Sequence, residues 1–410
     1  MKSRYSIIIR HSTVIKGIIC MLAMCYTLNL FGLYSMISYI GFVIVFIYIL
    51  KGRIVPLSVQ SLLVMAFLVV YGLTTYDMNG VNKLSMLMQC FIFYVVGIQF
   101  SRYIDQNEEK DLLFRVTFWG CIGFALHAIL TTMSSPITFD RRLTDFSDGY
   151  LVPATQLIAW CVCFFAIFPW TVFRWKTLKM FEKIIFLALT VLAIITSFTV
   201  SSRTGIVVFV MAVIFMFLWL IRDRKPRIIV MLLAAIALGG CAFYFDMFGL
   251  KTAIFNSNLA NRLVSENTSL FETPRTVRWQ YLIQHYKEYI WGGYHYSRTL
   301  GGQMHSILFD LYDECGIIVS ILFVFLLIRL IHGIIRLIRK RRDIFPDNIG
   351  LSLWFIIVSV VLFSEPVWEY GRHILMGFVF FVIGSIECQS FLCVSVFKRR
   401  IMRIGIEQNK

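Results

Sequence analysis

The chain has 410 residues, of which 59% are hydrophobic and only 15% are charged, and its formal net charge is +16. Soluble domains are about half apolar and about a quarter charged, so this composition excludes an ordinary soluble protein. The basic excess would suggest nucleic acid in a soluble chain. Here it is explained by the loops of a membrane protein that face anionic lipid, and no nucleic-acid partner is expected.

Long apolar runs separated by charged residues, glycine or proline predict twelve membrane spans, because each run is long enough to cross a bilayer. The basic residues before the first run are not followed by a small-residue cleavage site, which predicts a retained span rather than a removed signal peptide. The spans lie near residues 13–31, 34–50, 58–75, 84–100, 112–132, 151–172, 182–200, 204–221, 228–246, 315–335, 348–364 and 373–394.

The distribution of lysine and arginine predicts the orientation. With twelve spans, the loops on the side of the two termini carry 26 basic residues and the opposite loops carry 11. Basic loops remain in the cytoplasm, so both termini are expected there and the polar segments 133–150 and 247–314 outside. The sequence therefore predicts an all-α polytopic membrane protein, one membrane domain over residues 1–410, whose large extracytoplasmic loop, 247–314, contains short helices.

The large outer loop contains a predicted helix from Arg275 to Ile290. Two guanidinium groups one helical turn apart can converge on one phosphate group, and their planar donors suit phosphate oxygens. The alternative is an interfacial helix whose arginines lie at lipid headgroups. Helical spacing places four residues on one face: Arg275, Arg278, Trp279 and Leu282.

A histidine follows in the same loop. His305 comes after the glycine pair Gly292-Gly293, and helical spacing beyond it predicts that His305 begins the helix of the tenth span. A helix start offers N–H groups to an anion, although a lone histidine at a membrane interface is more often structural. At least one of three acidic residues beyond it is expected to face inward: Asp310, Asp313 and Glu314.

Other charged residues are predicted to reach the same outer surface. Arg203 begins the eighth span without an acidic neighbour in sequence, which makes it a functional candidate, with snorkelling to the interface as the alternative. Arg142, Glu365 and Arg372 lie in outer loops and can join the same pocket. Glu365 is expected either to orient an arginine or to serve as an alternative base.

Motifs for metals and cofactors are absent from the sequence. It has no Walker loop, no HExxH and no paired His/Cys cluster, and its ten cysteines lie in or beside apolar runs. We therefore expect no metal site and no cofactor, with arginines taking over the neutralisation of negative charge.

Four short motifs together resemble the superfamily of O-antigen ligases and O-antigen (capsule) polymerases, which act in bacterial envelope glycan assembly. Arg142-Leu-Thr with Pro153 loosely fits the first outer loop of that superfamily. The four motifs are Ser202-Arg203-Thr-Gly, Arg275-x-x-x-Trp279, Gly292-Gly293, and His305-Ser306 followed after nine residues by Gly316-x-x-Val319.

The resemblance implies a glycosyltransferase of the bacterial inner membrane with an extracytoplasmic active site. Its reaction would move a glycan en bloc from undecaprenyl diphosphate to an acceptor sugar hydroxyl, by a metal-independent, inverting displacement. His305 would be the general base, and Arg203 and Arg275, with Arg278, would bind the diphosphate. The implied partners are the lipid-linked glycan, an acceptor glycan or glycolipid and the bilayer, with a flippase or chain-length regulator as further candidates.

Three functions remain open at this point. A repeat-unit polymerase is slightly favoured, because Val319 and Val207 depart from the ligase pattern. An O-antigen ligase, which joins polysaccharide to the lipid A core, carries the same motifs. A lipid-linked glycan transporter is the alternative of another class, but the polar residues gather at one face and the two halves of the chain look unlike each other.

Overall fold

A computed structural model describes residues 2–32, 58–106, 111–134, 142–223, 274–302, 304–340, 346–365 and 374–407, with a few single residues between these ranges. Within them, eight helices are long and apolar enough to cross a membrane, and Lys16–Leu28 and Val59–Thr75 are shorter apolar helices. The prediction of an all-α polytopic membrane protein is confirmed. Ten of the twelve predicted spans coincide with these helices, and those at 34–50 and 228–246 lie outside the described residues.

The helices are numbered here in chain order, and two short 3-10 turns, Leu30–Gly32 and Trp175–Thr177, accompany them. The first seven are α1 (Lys2–Leu28), α2 (Val59–Gln106), α3 (Leu112–Ser134), α4 (Ala154–Ala166), α5 (Phe168–Phe173), α6 (Met180–Thr199) and α7 (Arg203–Arg222). The others are α8 (Pro274–His285), α9 (His295–Thr299), α10 (Ile307–Cys315), α11 (Ile317–Lys340), α12 (Pro346–Ser364) and α13 (Ile374–Glu407).

Helix α2 contains two of the predicted spans, 58–75 and 84–100. The hydroxyl oxygens of Ser61 and Tyr94 lie 3.0 Å apart, and a Cβ on Gly72 would lie 2.9 Å from the Leu87 side chain. Residues so far apart in sequence would be tens of ångströms apart on one straight helix, at about 1.5 Å per residue. The two halves of α2 therefore run antiparallel, as two separate spans require.

Small residues allow α2 and α13 to pack closely at the centre of the bundle. A Cβ on Gly97 would lie 2.1 Å from the Phe381 carbonyl oxygen, and a Cβ on Gly384 equally close to that of Tyr94. Backbones approach this closely in membrane proteins only where side chains are small. Helices α3, α4 and α13 are the most buried, whereas fewer than half of the residues of α6, α7 and α11 are buried, as expected for helices with a surface that faces lipid.

A two-stranded hairpin precedes α4. Strand β1 (Arg142–Thr144) pairs antiparallel with β2 (Leu151–Pro153), with Arg142 opposite Pro153. The predicted sixth span started at residue 151, which is wrong because residues 151–153 form strand β2. The extended backbone of Pro153 (ψ 147°) delays the helix until Ala154. The hairpin packs on α3 and α4, at the same end of the bundle as the start of α7.

Candidate active site

Three helix ends lie close together at the end of the bundle where α7 begins. Arg203 is the first residue of α7, Arg275 lies in the first turn of α8, and Glu365 directly follows α12. The Ser202 side chain caps α7 by accepting a hydrogen bond from the Gly205 N–H at 3.2 Å. Three candidate residues that are far apart in sequence are thus carried by neighbouring helix ends.

A carboxylate links two of these elements. Glu365 is only 3% exposed, its Oε2 accepts a hydrogen bond from Arg275 Nη2 at 3.0 Å, and its Oε1 accepts one from the Thr204 hydroxyl at 2.7 Å. Arg275 Nη1 also donates to the Ser364 carbonyl at 2.6 Å. Of the two roles predicted for Glu365, these contacts favour the orientation of an arginine.

Helix α8 turns its predicted face toward the loop that contains His305. The Trp279 indole N–H donates to the Met304 carbonyl, and Leu282 is buried beside that loop. A Cβ on Gly302 would lie 2.6 Å from the Arg278 guanidinium, so this guanidinium lies directly against the glycine backbone. The helix therefore holds Arg278 against the segment that leads to the histidine.

His305 lies in a left-handed turn (φ 58°) before α10, whereas the sequence predicted that it begins the helix of the tenth span. That prediction is wrong at two points. Helix α10 begins at Ile307, and Gly316 with φ 80° separates it from α11. Residues on either side of each break still follow a helical period, so the periodicity could not reveal either break.

The Asp310 side chain stabilises this turn. Its carboxylate accepts hydrogen bonds from the backbone N–H groups of Met304 (3.0 Å) and Ser306 (3.1 Å), the residues on either side of His305. A left-handed conformation costs a non-glycine residue about 1–2 kcal/mol. Hydrogen bonds to a charged group contribute about 1.5–3 kcal/mol each, so this pair outweighs that cost. Asp310 is thus the acidic residue that positions the histidine, through its backbone.

The surroundings of His305 keep its imidazole neutral. Burial and the positive charges of Arg275 and Arg278 lower the pKa of His305 from 6.5 to about 3. Its Nδ1 is buried and finds no hydrogen-bond partner among the described residues. The ring is therefore unprotonated at neutral pH and lies within electrostatic reach of two guanidinium groups.

The motif glycines Gly292 and Gly316 each lie against the backbone around the other, which leaves no room for a side chain at either position. A Cβ on Gly292 would lie 2.6 Å from the Gly316 nitrogen, and a Cβ on Gly316 would lie 2.6 Å from the Trp291 carbonyl carbon. Both glycines have positive φ, 83° and 80°. The backbone on both sides is paired as well, since the Ile317 N–H donates to the Ile290 carbonyl at 2.9 Å. The segment before the histidine is thereby fixed to the start of α11.

The three acidic residues of α10 are all buried and have different partners. Asp313 caps α9, because its oxygens accept from the N–H groups of Tyr296 (2.8 Å) and Ser297 (3.0 Å). Glu314 accepts a hydrogen bond from the Tyr71 hydroxyl of α2 at 3.0 Å. The expectation that at least one acid faces inward is confirmed for all of them: Asp310, Asp313 and Glu314.

Two further arginines were predicted to join the same pocket. Arg142 is exposed on β1. Its hairpin leads into α4, where Ile158 would lie 3.6 Å from a Cβ on Gly205, two residues after Arg203. The hairpin thus leads into a helix that contacts the first turn of α7. Arg372 lies outside the described residues.

A buried histidine that the sequence analysis missed fixes the first outer loop. His127 Nε2 lies 2.7 Å from Asp145 Oδ2, its Nδ1 lies 3.1 Å from the Thr27 carbonyl oxygen, and its ring stacks on Trp160. A carbonyl oxygen only accepts, so Nδ1 carries a proton and donates it to Thr27, and Nε2 is left to pair with the Asp145 carboxyl group. An ionisable residue inside an apolar span is the signal that would have identified His127.

Comparison with known proteins finds a family that matches part of this chain. The O-antigen ligase family matches residues 188–324, a segment that contains Arg203, Arg275 and His305. The match confirms the superfamily that the short motifs indicated. No curated protein matches the chain.

Proposed function

We propose that this protein is a membrane glycosyltransferase that moves a glycan from undecaprenyl diphosphate to an acceptor sugar hydroxyl. One observation carries the proposal: a neutral histidine in a fixed turn lies within electrostatic reach of Arg275 and Arg278, inside the segment that matches the O-antigen ligase family. A base beside a basic pocket fits a reaction in which a hydroxyl loses a proton and a diphosphate departs.

The proposed step is a single displacement at the anomeric carbon. The acceptor oxygen forms a bond to that carbon while its proton passes to His305, and the bond from the anomeric carbon to the diphosphate oxygen breaks. The diphosphate leaves with its lipid, and its charge is matched by the guanidinium groups of Arg203, Arg275 and Arg278. Attack opposite to the leaving group inverts the anomeric configuration.

The donor itself would make His305 a stronger base. In the free protein, Arg275 and Arg278 oppose protonation of the imidazole. A bound diphosphate offsets these positive charges, so the pKa of His305 rises when the donor is present. The acceptor proton would then be taken up only after the leaving group is in place, which limits loss of donor to water.

The acceptor and the location belong to the same proposal. The excess of basic residues in the loops on the side of the two termini supports cytoplasmic termini and an extracytoplasmic site in the bacterial inner membrane. We favour a repeat-unit polymerase, with another lipid-linked glycan as acceptor. The description of the matching family supports an O-antigen ligase as the second candidate.

A reconstituted transfer assay tests the proposal. Purified wild-type protein, a synthetic undecaprenyl-diphosphate oligosaccharide and an acceptor glycan should give a product of inverted anomeric configuration, unaffected by a chelator. His305→Ala and Arg275→Ala should each abolish transfer while the protein remains in the membrane. Full activity of both variants refutes the mechanism, and activity that requires added magnesium refutes its metal independence.

A deletion strain separates the two acceptors. If single-repeat caps remain on an electrophoretic gel of envelope glycan, the lost enzyme is a polymerase. If long chains accumulate on undecaprenyl diphosphate instead, it is a ligase.

A further inference from the structure

Thr204 and Glu365 connect two arginines that belong to different helices. Thr204 directly follows Arg203 in the first turn of α7, and its hydroxyl donates to Glu365 Oε1 at 2.7 Å. The other carboxylate oxygen, Oε2, accepts from Arg275 Nη2 at 3.0 Å. One buried side chain therefore joins the start of α7 to the guanidinium carried by α8.

The carboxylate and the guanidinium are both held firmly. The Glu365 N–H donates to the Val361 carbonyl at 2.9 Å, which continues the last turn of α12. Arg275 is fixed at a second point by the Ser364 carbonyl, at 2.6 Å from Nη1. These bonds use two of the five guanidinium N–H donors, and the side chain is still 36% exposed, so it can receive a ligand.

Electrostatic attraction of an anionic ligand does not explain why Glu365 lies beside Arg275. A carboxylate beside Arg275 weakens the attraction of the site for an anion such as a diphosphate. If the pocket binds a diphosphate, the benefit of Glu365 must therefore be geometric. The planar guanidinium groups of Arg203 and Arg275 belong to separate helices, so their separation and orientation are fixed only if another group links the two helices.

We infer that Thr204 and Glu365 are positioning residues that hold Arg203 and Arg275 at one fixed separation, so that both meet the diphosphate of the donor together. This inference rests on the proposed function. Donors fixed before the reaction stabilise developing charge without rearrangement. When the link is broken, each arginine still attracts phosphate, but the productive arrangement becomes rare and kcat falls more than donor affinity.

Substitutions at Thr204 separate the hydrogen bond from packing. Thr204→Val removes the hydroxyl at nearly constant volume and should lower kcat about tenfold, with the donor KM within about twofold of wild type. Thr204→Ser keeps the hydroxyl and should restore most of kcat. Glu365→Gln removes the negative charge, so it should lower both kcat and the donor KM.

The double variant tests whether the two residues act together. Thr204→Val with Glu365→Gln should be no slower than the slower single variant, because both break one link. Additive losses, a Thr204→Val enzyme with wild-type kcat, or a Thr204→Ser enzyme as slow as Thr204→Val each overturn the inference. Complete loss in Glu365→Gln beside an unaffected Thr204→Val assigns Glu365 as a base instead, which also overturns it.

Parallel assays distinguish this inference from the proposed function. Wild type should transfer glycan and His305→Ala should not; a failure of either expectation contradicts the proposed function itself. If both hold and Thr204→Val remains fully active, only the positioning role is wrong. Thermal melting of each variant, expected near the wild-type temperature, ensures that a lower kcat does not reflect unfolded protein.

Discussion

Replacing Asp310 by asparagine tests whether the left-handed turn at His305 is needed for catalysis. The Asp310 carboxylate is 1% exposed and accepts two backbone N–H groups, at 3.0 and 3.1 Å. An asparagine side chain offers one acceptor oxygen in this position and turns an NH₂ donor toward the second N–H. One N–H group is then buried without a partner beside His305.

The expected cost follows from these contacts. A stranded buried donor costs about 1–3 kcal/mol, and the remaining bond loses its ionic character. A total of about 2–3 kcal/mol lowers the equilibrium constant for forming the competent turn by about 30- to 150-fold, since each 1.4 kcal/mol is a factor of ten. Because the two hydrogen bonds exceed the cost of the left-handed residue by only a few kcal/mol, we expect kcat for glycan transfer to fall by up to about two orders of magnitude, with the donor KM little changed because the arginines stay in place.

Asp313 provides a matched control in the same helix. It is 2% exposed and also accepts two backbone N–H groups, but these belong to Tyr296 and Ser297 at the start of α9. Asp313→Asn should lower the melting temperature about as much as Asp310→Asn, while kcat falls less than about tenfold. Equal losses of kcat in the two variants, or a fully active Asp310→Asn enzyme, would refute the reasoning.

Three further predictions concern other parts of the structure. Gly316→Ala should abolish folding or transfer, because the added Cβ would lie 2.5 Å from a backbone atom. Gly301→Ala is the control: Gly301 also has a positive φ, 64°, but nothing lies within 4 Å of an added Cβ, so a melting experiment should show a cost of only about 1–2 kcal/mol. Equal effects of the two substitutions would contradict the close approach at Gly316. The pKa of His305 is about 3 without donor, so the pH profile of kcat/KM, which reports the free enzyme, should show no loss of activity from this group above pH 5. The profile of kcat, which reports the donor complex, should lose activity at a higher pH. A loss of kcat/KM with a midpoint near pH 6.5 would contradict this. His127→Gln should lower the free energy of unfolding by about 1–3 kcal/mol, because the buried Asp145 Oδ2 loses its imidazole partner, and a wild-type melting temperature would argue against the importance of this contact.

The membrane architecture could be predicted because its signals are local. An apolar run of sufficient length is a span wherever it lies, and ten of the twelve predicted runs are described helices. The face of α8 was also predictable, since Arg275, Arg278 and Trp279 follow a helical period. The boundary at residue 151 was not, because the strand it belongs to exists only by pairing with Arg142–Thr144.

The contacts that shape the candidate site come from residues distant in sequence. Glu365 and Thr204 are 161 residues apart, and the sequence shows no pattern that joins them. The positive φ of His305 is likewise fixed by Asp310 through backbone N–H groups, which side-chain periodicity does not report. The glycines at 292 and 316 were recognised as motif residues, but their mutual contact is a property of the fold.

The most direct test separates donor binding from transfer in His305→Ala. Binding of a synthetic undecaprenyl-diphosphate oligosaccharide to the purified variant should match wild type or be slightly tighter, while transfer to an acceptor should be undetectable. Arg275→Ala, measured beside it, should lose donor binding as well. Transfer by His305→Ala at the wild-type rate would contradict the assignment of this histidine as the base.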